Sequence, residues 1–193
     1  GSVISNREVG IKEGIRTNDL LRPVLSILNP ELTMTLPAYQ TACGVTDMFI
    51  HLTERYFTNT PDVSLTDEMI EGLMRTILKY GIVCVKEPDN YNARAQIMWA
   101  GMLAHNNICG VDREQDWASH HIQHRIGAKY DSAHGAGLAT IFPAWAQYVY
   151  KHNVPRFVRF ATKVMGVDND VFHPEEVALE GIRRIKAYFA SLG

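Results

Sequence analysis

The chain has 193 residues, of which 46% are hydrophobic and 21% charged, and its formal net charge at pH 7 is −2. Such a composition is typical of a globular protein that can bury a core without disulfides or a structural metal. The small negative charge argues against nucleic acid and anionic membranes as partners, since both favour a basic surface. No apolar run approaches the roughly 20 residues of a membrane span, and the N-terminus lacks the apolar segment of a signal peptide.

The three cysteines are Cys43, Cys84 and Cys109, and they form no Cys-x-x-Cys pair. An odd number of widely spaced cysteines is typical of reduced thiols, which predicts a cytoplasmic protein. We expect all three to serve as small buried hydrophobic side chains.

The strand-like segments lie in the first thirty residues. "VISN" and "VLSIL" are short apolar runs, partly β-branched, and the second is flanked by Pro23 and by Asn29-Pro30. We predict a strand over residues 23–28 and irregular structure over residues 5–20.

From Pro37 onward the pattern becomes helical. Val45, Phe49, Leu52 and Tyr56 recur at the spacing of one helix face. The next segment, "SLTDEMIEGLMRTILKYG", has acids in its first turn and lysine in its last, which suits the helix dipole.

Residues that can cap or end a helix predict where two of the helices begin and end. Ser64 or Thr66 can cap the segment that follows Pro61, and Gly81 can end it. "NARAQIMWAGMLAHNNICG" has Asn92 as a candidate cap, ends at Gly110 and is apolar on nearly all sides. We therefore expect it to be a central, buried helix.

The rest of the chain predicts four more helices: "QDWASHHIQHRIGAKY", "HGAGLATIFPAWAQYVYK" with a kink at Pro143, "PRFVRFATKVMG", and a last helix beginning at Pro174. The loop 167–173 has acids at 168 and 170, but it lacks the longer acid series of a calcium loop, so we interpret it as a solvated turn. The prediction is an all-α domain of about seven helices with a short extended entry.

Four of the eight histidines lie within "SHHIQHRIGAKYDSAHG", residues 119–135. His120 and His124 share one helix face, whereas His121 points about a quarter turn away. His134 follows a break at "KYDSA" and can return over the face that carries His120. Spacing alone leaves two interpretations open, a group of surface histidines or a metal site.

A second pair favours the metal. Asp47 and His51 lie four residues apart on the helix that carries Val45 and Phe49, an otherwise apolar segment. One carboxylate with several imidazoles is a ligand set that suits Fe(II) or Zn(II). His-Glu-x-x-His, a His-Asp dipeptide, a P-loop and Gly-x-Gly-x-x-Gly are all absent. These residues predict a metal-dependent helical enzyme domain.

Three segments identify a resemblance to a known family. They are "VLSILNPELTMTLPAYQTACG", "GVTDMFIHLTERYF" and "DWASHHIQHRIGAKYDSAHGAGLATIFPAW". Together they resemble the iron-containing (group III) alcohol dehydrogenases over essentially the whole chain. The spacing D-x3-H, then H-x3-H-x9-H, is specific to that family. The stretch "HGAGLATIFPAW" is similar to the NADPH-dependent butanol dehydrogenase and aldehyde reductase branch.

The resemblance implies Asp47, His51, His120 and His134 as metal ligands. His124 matches a family histidine that lies near the nicotinamide and the substrate and is not a ligand, and His121 has no implied role. Two positions depart from the family pattern: Gln123 stands where branch members often have an acid, and Ala133 where many members have proline. The first departure is expected to alter a contact to a ligand.

The resemblance also implies a fragment of a dehydroquinate synthase-like fold. Residues 1–35 would be the tail of an α/β nucleotide-binding domain and a linker strand. Residues 36–193 would be most of the helical metal-binding domain, incomplete at its C-terminus. No dinucleotide-binding glycine motif occurs in the chain, which agrees with an absent nucleotide domain.

The implied activity is hydride transfer between NADP(H) or NAD(H) and a primary alcohol or aldehyde such as butanol or butanal. Fe²⁺, with Zn²⁺ as the alternative, would polarise the aldehyde oxygen, and His124 or water would supply the proton. The complete enzyme would be a homodimer or a larger oligomer. Two alternatives stay open: an inactive metal-binding module, and a metal-dependent lyase or synthase on the same scaffold.

Four aromatic residues stand near these motifs: Trp99, Trp117, Phe142 and Trp145. We expect them in the core, with a place along an apolar substrate pocket as the alternative.

Overall fold

The computed structural model describes residues 3–6, 8–14 and 23–193. This part of the chain contains seven α-helices and one antiparallel strand pair, so the prediction of an all-α domain is confirmed. The helices are α1 Ala38–Tyr56, α2 Ser64–Lys86, α3 Tyr91–His105, α4 Ala118–Tyr130, α5 His134–Val149, α6 Val154–Lys163 and α7 Pro174–Ser191. The strands are β1 Val3–Asn6 and β2 Ile11–Gly14.

The strand prediction is wrong in its position. Residues 23–28 are exposed and form no ladder with any described residue, whereas β1 pairs with β2 from Val3–Gly14 to Asn6–Ile11. The prediction of irregular structure over residues 5–20 is therefore wrong for residues 5, 6 and 11–14, while residues 7 and 15–20 lie outside the described residues. An apolar run becomes a strand only where a second backbone segment takes its hydrogen bonds, and the turn at residues 8–10 supplies that partner to "VISN" alone.

Helix α2 does not end at Gly81 as predicted. It continues to Lys86, and it begins at Ser64 with Val63 in the cap position and no side-chain cap. A Cβ at residue 81 would lie 2.5 Å from Val45 Cγ1 and 2.6 Å from Tyr188 Oη. Gly81 is therefore required for the close approach of α1 and α7 to α2, not for a turn.

Helix α3 begins at Tyr91, two residues earlier than the Asn92 cap would place it. The Asn90 side chain accepts a hydrogen bond from Ala93 N, and the helix ends at His105 rather than continuing to Gly110. Asn107 then adopts a left-handed φ of 69°, and a short 3₁₀ turn follows over Ile108–Gly110. The helix is less enclosed than predicted, because Trp99 remains 56% exposed.

The later helices agree better with the prediction. Helix α7 begins at Pro174 with two glutamates in its first turn, and α5 continues through Pro143. In the loop before α7, Asp170 accepts hydrogen bonds from the backbone of Phe172 and His173, as a solvated turn requires. Of the free cysteines, Cys84 and Cys109 are buried as expected, and Cys43 is only partly buried.

Helix α1 is the centre of the fold. It packs against α2, α3, α4 and α5, and its apolar face is fully buried. Phe49 makes edge contacts with Phe160 at 6.4 Å and Phe189 at 5.9 Å between ring centroids, which joins α1 to α6 and α7. Burial of each such side chain contributes about 1.5–3 kcal/mol. The neighbouring face of the same helix is therefore held rigidly, and it carries Asp47 and His51. No helix in the described part is long and apolar enough to cross a membrane.

The connection between α3 and α4 is anchored by Arg113, which is buried. Its guanidinium donates hydrogen bonds to the carbonyl oxygens of Arg55 and Val63 and forms an ion pair with Asp67 at 2.9 Å. Three residues further on, Asp116 N donates to Glu54 O. The start of α4, and with it His120, is thereby fixed against the end of α1.

Candidate metal centre

Three helices bring the four expected ligands together, with three histidines around the carboxylate of Asp47. Helix α1 supplies Asp47 and His51 one turn apart, α4 supplies His120, and His134 is the first residue of α5. Asp47 Oδ1 lies 3.2 Å from His134 Nε2 and 3.4 Å from His120 Nε2. His51 Nε2 lies 3.8 Å from Asp47 Oδ2. The interpretation of the cluster as surface histidines is wrong for His120, which is 6% exposed.

The structure adds a fifth residue, His105 at the end of α3. Its Nε2 lies 3.3 Å from Asp47 Oδ2, and its ring centroid lies 4.0 Å from that of His51. Sequence reasoning missed His105 because no spacing pattern links it to the other histidines. Only the packing of α3 on α1 brings it to the centre.

Two buried side chains behind the histidines orient their rings. The carboxylate of Glu54 accepts hydrogen bonds from His120 Nδ1 and, at 3.0 Å, from the His120 backbone N–H. The amide oxygen of Gln123 accepts a hydrogen bond from His134 Nδ1. Since each acceptor holds a hydrogen on Nδ1, the Nε2 atoms of the neutral rings carry lone pairs, as in many protein metal sites.

These residues fit a divalent cation. Asp47 Oδ1 and His120 Nε2 are buried, and neither has a hydrogen-bond partner. A neutral Nε2 facing a carboxylate oxygen at 3.4 Å is repulsive, and either a proton on that nitrogen or a metal ion between the two atoms relieves the repulsion. Carboxylate oxygen and imidazole nitrogen are donors that both Fe(II) and Zn(II) accept.

The pKa values of these side chains reflect their burial and their closeness to one another. Burial, then the neighbouring His105, lowers the pKa of His51 to about 2. For His120, burial acts in the lowering direction, but the carboxylates of Asp47 and Glu54 prevail and raise its pKa to about 9. Burial alone would raise the pKa of Asp47, but contacts with His105, His120 and other imidazoles hold it well below its usual value. Asp47 is therefore ionised, and the imidazole of His120 is much more basic than that of His51.

His124 lies beside the centre and not within it. It is partly buried one turn after His120, with its ring centroid 6.1 Å from that of His120 and 5.4 Å from that of His134. Burial, then the charges of His134 and His120, lowers its pKa to about 4. His121 is exposed. His124 therefore faces the cluster and His121 faces solvent, as their spacing along α4 predicts.

Of the four aromatic candidates, Trp117 alone contacts the metal-centre histidines among the described ring contacts. Its ring centroid lies 5.2 Å from that of His51 and 5.3 Å from that of His120. Phe142 is a core residue, and Trp145 stacks on it at 5.7 Å, away from the histidines. Trp99 is exposed.

The fold and this cluster define a helical domain with an aspartate–histidine cluster whose donor atoms fit a divalent cation. Residues 41–193 match the C-terminal domain of the Fe-containing alcohol dehydrogenase family. The chain belongs to this family, as its sequence motifs predict.

Relatives agree over the whole chain. It is 37% identical to NADH-dependent butanol dehydrogenase A of Clostridium acetobutylicum over 193 residues, which cover all of this chain and 49% of that protein. It is 38% identical to the NADPH-dependent aldehyde reductase YqhD of Escherichia coli over 144 residues, 75% of this chain and 37% of that protein. The crystal structure of NADH-dependent butanol dehydrogenase A from Thermotoga maritima superposes with a TM-score of 0.92 at 39% identity, covering 99% of this chain and 47% of that one. The chain spans about half the length of the curated relatives that it matches.

Proposed function

We propose that the chain is the metal-binding part of an NAD(P)-dependent alcohol dehydrogenase or aldehyde reductase. In this proposal Asp47, His51, His120 and His134 hold Fe²⁺, with Zn²⁺ as the alternative. The observation that carries it is the pair of Nε2 atoms, from His120 and His134, directed at one buried oxygen of Asp47. The relatives act, by their names, on butanol or on aldehydes, which makes a short primary alcohol or its aldehyde the proposed substrate.

The proposed enzyme is longer than this chain. Residues 1–35 are assigned to the end of a nucleotide-binding domain and its linker, and residues 36–193 to the metal-binding domain. The family match from residue 41 and the 49% share of the butanol dehydrogenase support this division. The nucleotide is NADH or NADPH, since the names of the relatives include both. It would bind to the part that this chain lacks.

The chemistry divides between the cofactors and the chain. A divalent cation held by Asp47 and its histidines would polarise the substrate oxygen, and a nicotinamide nucleotide would supply or accept the hydride. Glu54 and Gln123 hold the rings of His120 and His134 in the orientation that directs Nε2 at Asp47, where the ion would be bound. His124, beside the centre and partly exposed, moves the proton between the substrate oxygen and solvent through its ring nitrogens. Trp117 covers one side of the centre and limits the access of water.

The test is His134→Ala in the full-length protein. We expect loss of tightly bound metal and of butanal reduction with NADPH or NADH, with helical circular dichroism unchanged, because His134 lies at the first position of α5 and is partly exposed. The matched control is His121→Ala, an exposed histidine on α4, which is expected to retain both. Retained turnover with tightly bound metal in His134→Ala contradicts the ligand assignment.

A second proposal concerns the chain in isolation. Because it spans about half of its relatives, it is expected to bind the metal without catalysing turnover. Butanal reduction by residues 1–193 alone would contradict this expectation.

A further inference from the structure

The two oxygens of Asp47 face different pairs of histidines. Oδ1 faces His134 and His120 at 3.2 and 3.4 Å, whereas Oδ2 faces His105 and His51 at 3.3 and 3.8 Å. The ligand atoms of Asp47, His120 and His134 all lie within 4.8 Å of one another, and so do those of Asp47, His51 and His105. The centre thus consists of two triads that share one carboxylate.

The ring of His105 is held in the orientation of a ligand. Its Nδ1 lies 2.7 Å from the carbonyl oxygen of Gly101, one turn earlier on α3. A carbonyl can only accept, so Nδ1 carries the hydrogen, and Nε2 of the neutral ring presents its lone pair to Asp47. Glu54 fixes the hydrogen on Nδ1 of His120 in the same way, with a carboxylate in place of a backbone carbonyl.

We propose that Asp47 Oδ2, His51 and His105 form a second position for a divalent transition-metal ion, beside the position at Oδ1. Two nitrogens and one oxygen are a ligand set that Zn²⁺ and Co²⁺ accept, with water completing the coordination. The imidazole of His105 is 42% exposed, which leaves room for that water. A carboxylate that bridges two ions a few ångströms apart is common in two-metal sites.

His51 lies between the two positions. Its ring centroid is 4.0 Å from that of His105 and 4.5 Å from that of His120. It serves the ion at Oδ1 when one ion is bound and the ion at Oδ2 when both are bound. The second ion binds more weakly, because two cations then share the single negative charge of Asp47 and repel one another. The inference shares Asp47 with the proposed catalytic ion and in that respect rests on the proposed function.

A simpler role for His105 is to donate a hydrogen bond to Asp47 and so orient it. With Nδ1 committed to Gly101, that bond requires a second hydrogen on Nε2 and hence a cationic ring. The two roles predict different metal stoichiometries. Loss of an orienting partner typically costs about tenfold or more in metal affinity without changing the number of ions bound.

The experiment is a titration of the metal-stripped full-length protein with Zn²⁺ and with Co²⁺. Calorimetry measures the affinity of each step, and elemental analysis after equilibrium dialysis counts the ions. The wild type is expected to bind two ions, the second more weakly. His105→Leu is expected to bind one ion, with the affinity of the first step unchanged. His105→Gln repeats the test with a polar side chain, and His152→Leu, which removes an exposed histidine near α6, is expected to bind two.

The outcomes separate this inference from the proposed function. One ion in the wild type, or two in both His105 variants, overturns the second position and leaves the proposed catalytic site intact. A first step about tenfold weaker in the His105 variants, with no change in stoichiometry, identifies His105 as an orienting residue and also overturns the second position. Absence of any tight ion in the wild type overturns both proposals.

Discussion

Glu54 and Gln123 perform the same task with different chemistry. Each accepts a hydrogen bond from the Nδ1 of a histidine and so leaves Nε2 free for a metal. Glu54 is 3% exposed and Gln123 is fully buried, so neither contact is weakened by water. A carboxylate makes the attached imidazole a better electron donor than a neutral amide does. His120 is therefore expected to be the stronger ligand of the two.

This difference predicts opposite effects of two isosteric substitutions. Glu54→Gln is expected to weaken metal binding by about 10–100-fold, whereas Gln123→Glu, which places a carboxylate behind His134, is expected to strengthen it. Competition with a fluorescent zinc chelator measures both affinities, and circular dichroism checks that each variant is folded. Equal affinities in both variants and the wild type would contradict the orienting role of these residues.

At the scale of the helices, the centre depends on how closely α5 approaches α1. Gly135 follows His134 directly, and a Cβ there would lie 2.1 Å from the carbonyl oxygen of Cys43. The obstacle is backbone within α1 and cannot rotate away. The glycine thus allows α5 to begin against α1, four residues from Asp47, and places His134 over the carboxylate.

Gly135→Ala is expected to lower the free energy of unfolding by about 3 kcal/mol, because α1 and α5 must separate to admit the methyl group. The control is Gly72→Ala on α2, where the nearest atom is the end of the Arg75 side chain at 3.9 Å. That variant is expected to gain about 0.5–1 kcal/mol from the better helix propensity of alanine. Urea denaturation measures both. A Gly135→Ala protein as stable as the wild type would contradict the close packing of these helices.

At the scale of the whole molecule, the helices can be predicted from the sequence and their ends less well. Apolar positions such as Val45, Phe49 and Leu52 recur with the helix period, and this signal is local. Gly81 has the sequence pattern of a helix stop, but this glycine is needed for the close contact of α2 with Val45 and Tyr188. Contacts between distant segments produce no periodic pattern in the sequence. The pairing of β1 with β2 produces none either.

The candidate metal centre, a cluster of side chains around Asp47, could be predicted in part for the same reason. Two pairs of residues are close in sequence, and their spacing or the family resemblance identifies them: Asp47 with His51, and His120 with His134. His105 and Glu54 could not be found from such local patterns. His105 stands alone on α3, and Glu54 belongs to the centre only because α4 starts against the end of α1. Tertiary packing supplies these two contacts.

Three helices of this chain converge on Asp47 and its histidines, and we propose that this cluster holds a divalent cation. Anomalous-difference maps from crystals of the full-length protein loaded with metal, recorded at the iron and zinc edges, test it most directly. We expect a peak about 2.0–2.2 Å from Asp47 Oδ1 and from the Nε2 atoms of His120 and His134, and the edge at which it appears identifies the metal. No anomalous peak among these three atoms, in crystals supplied with both metals, would contradict it.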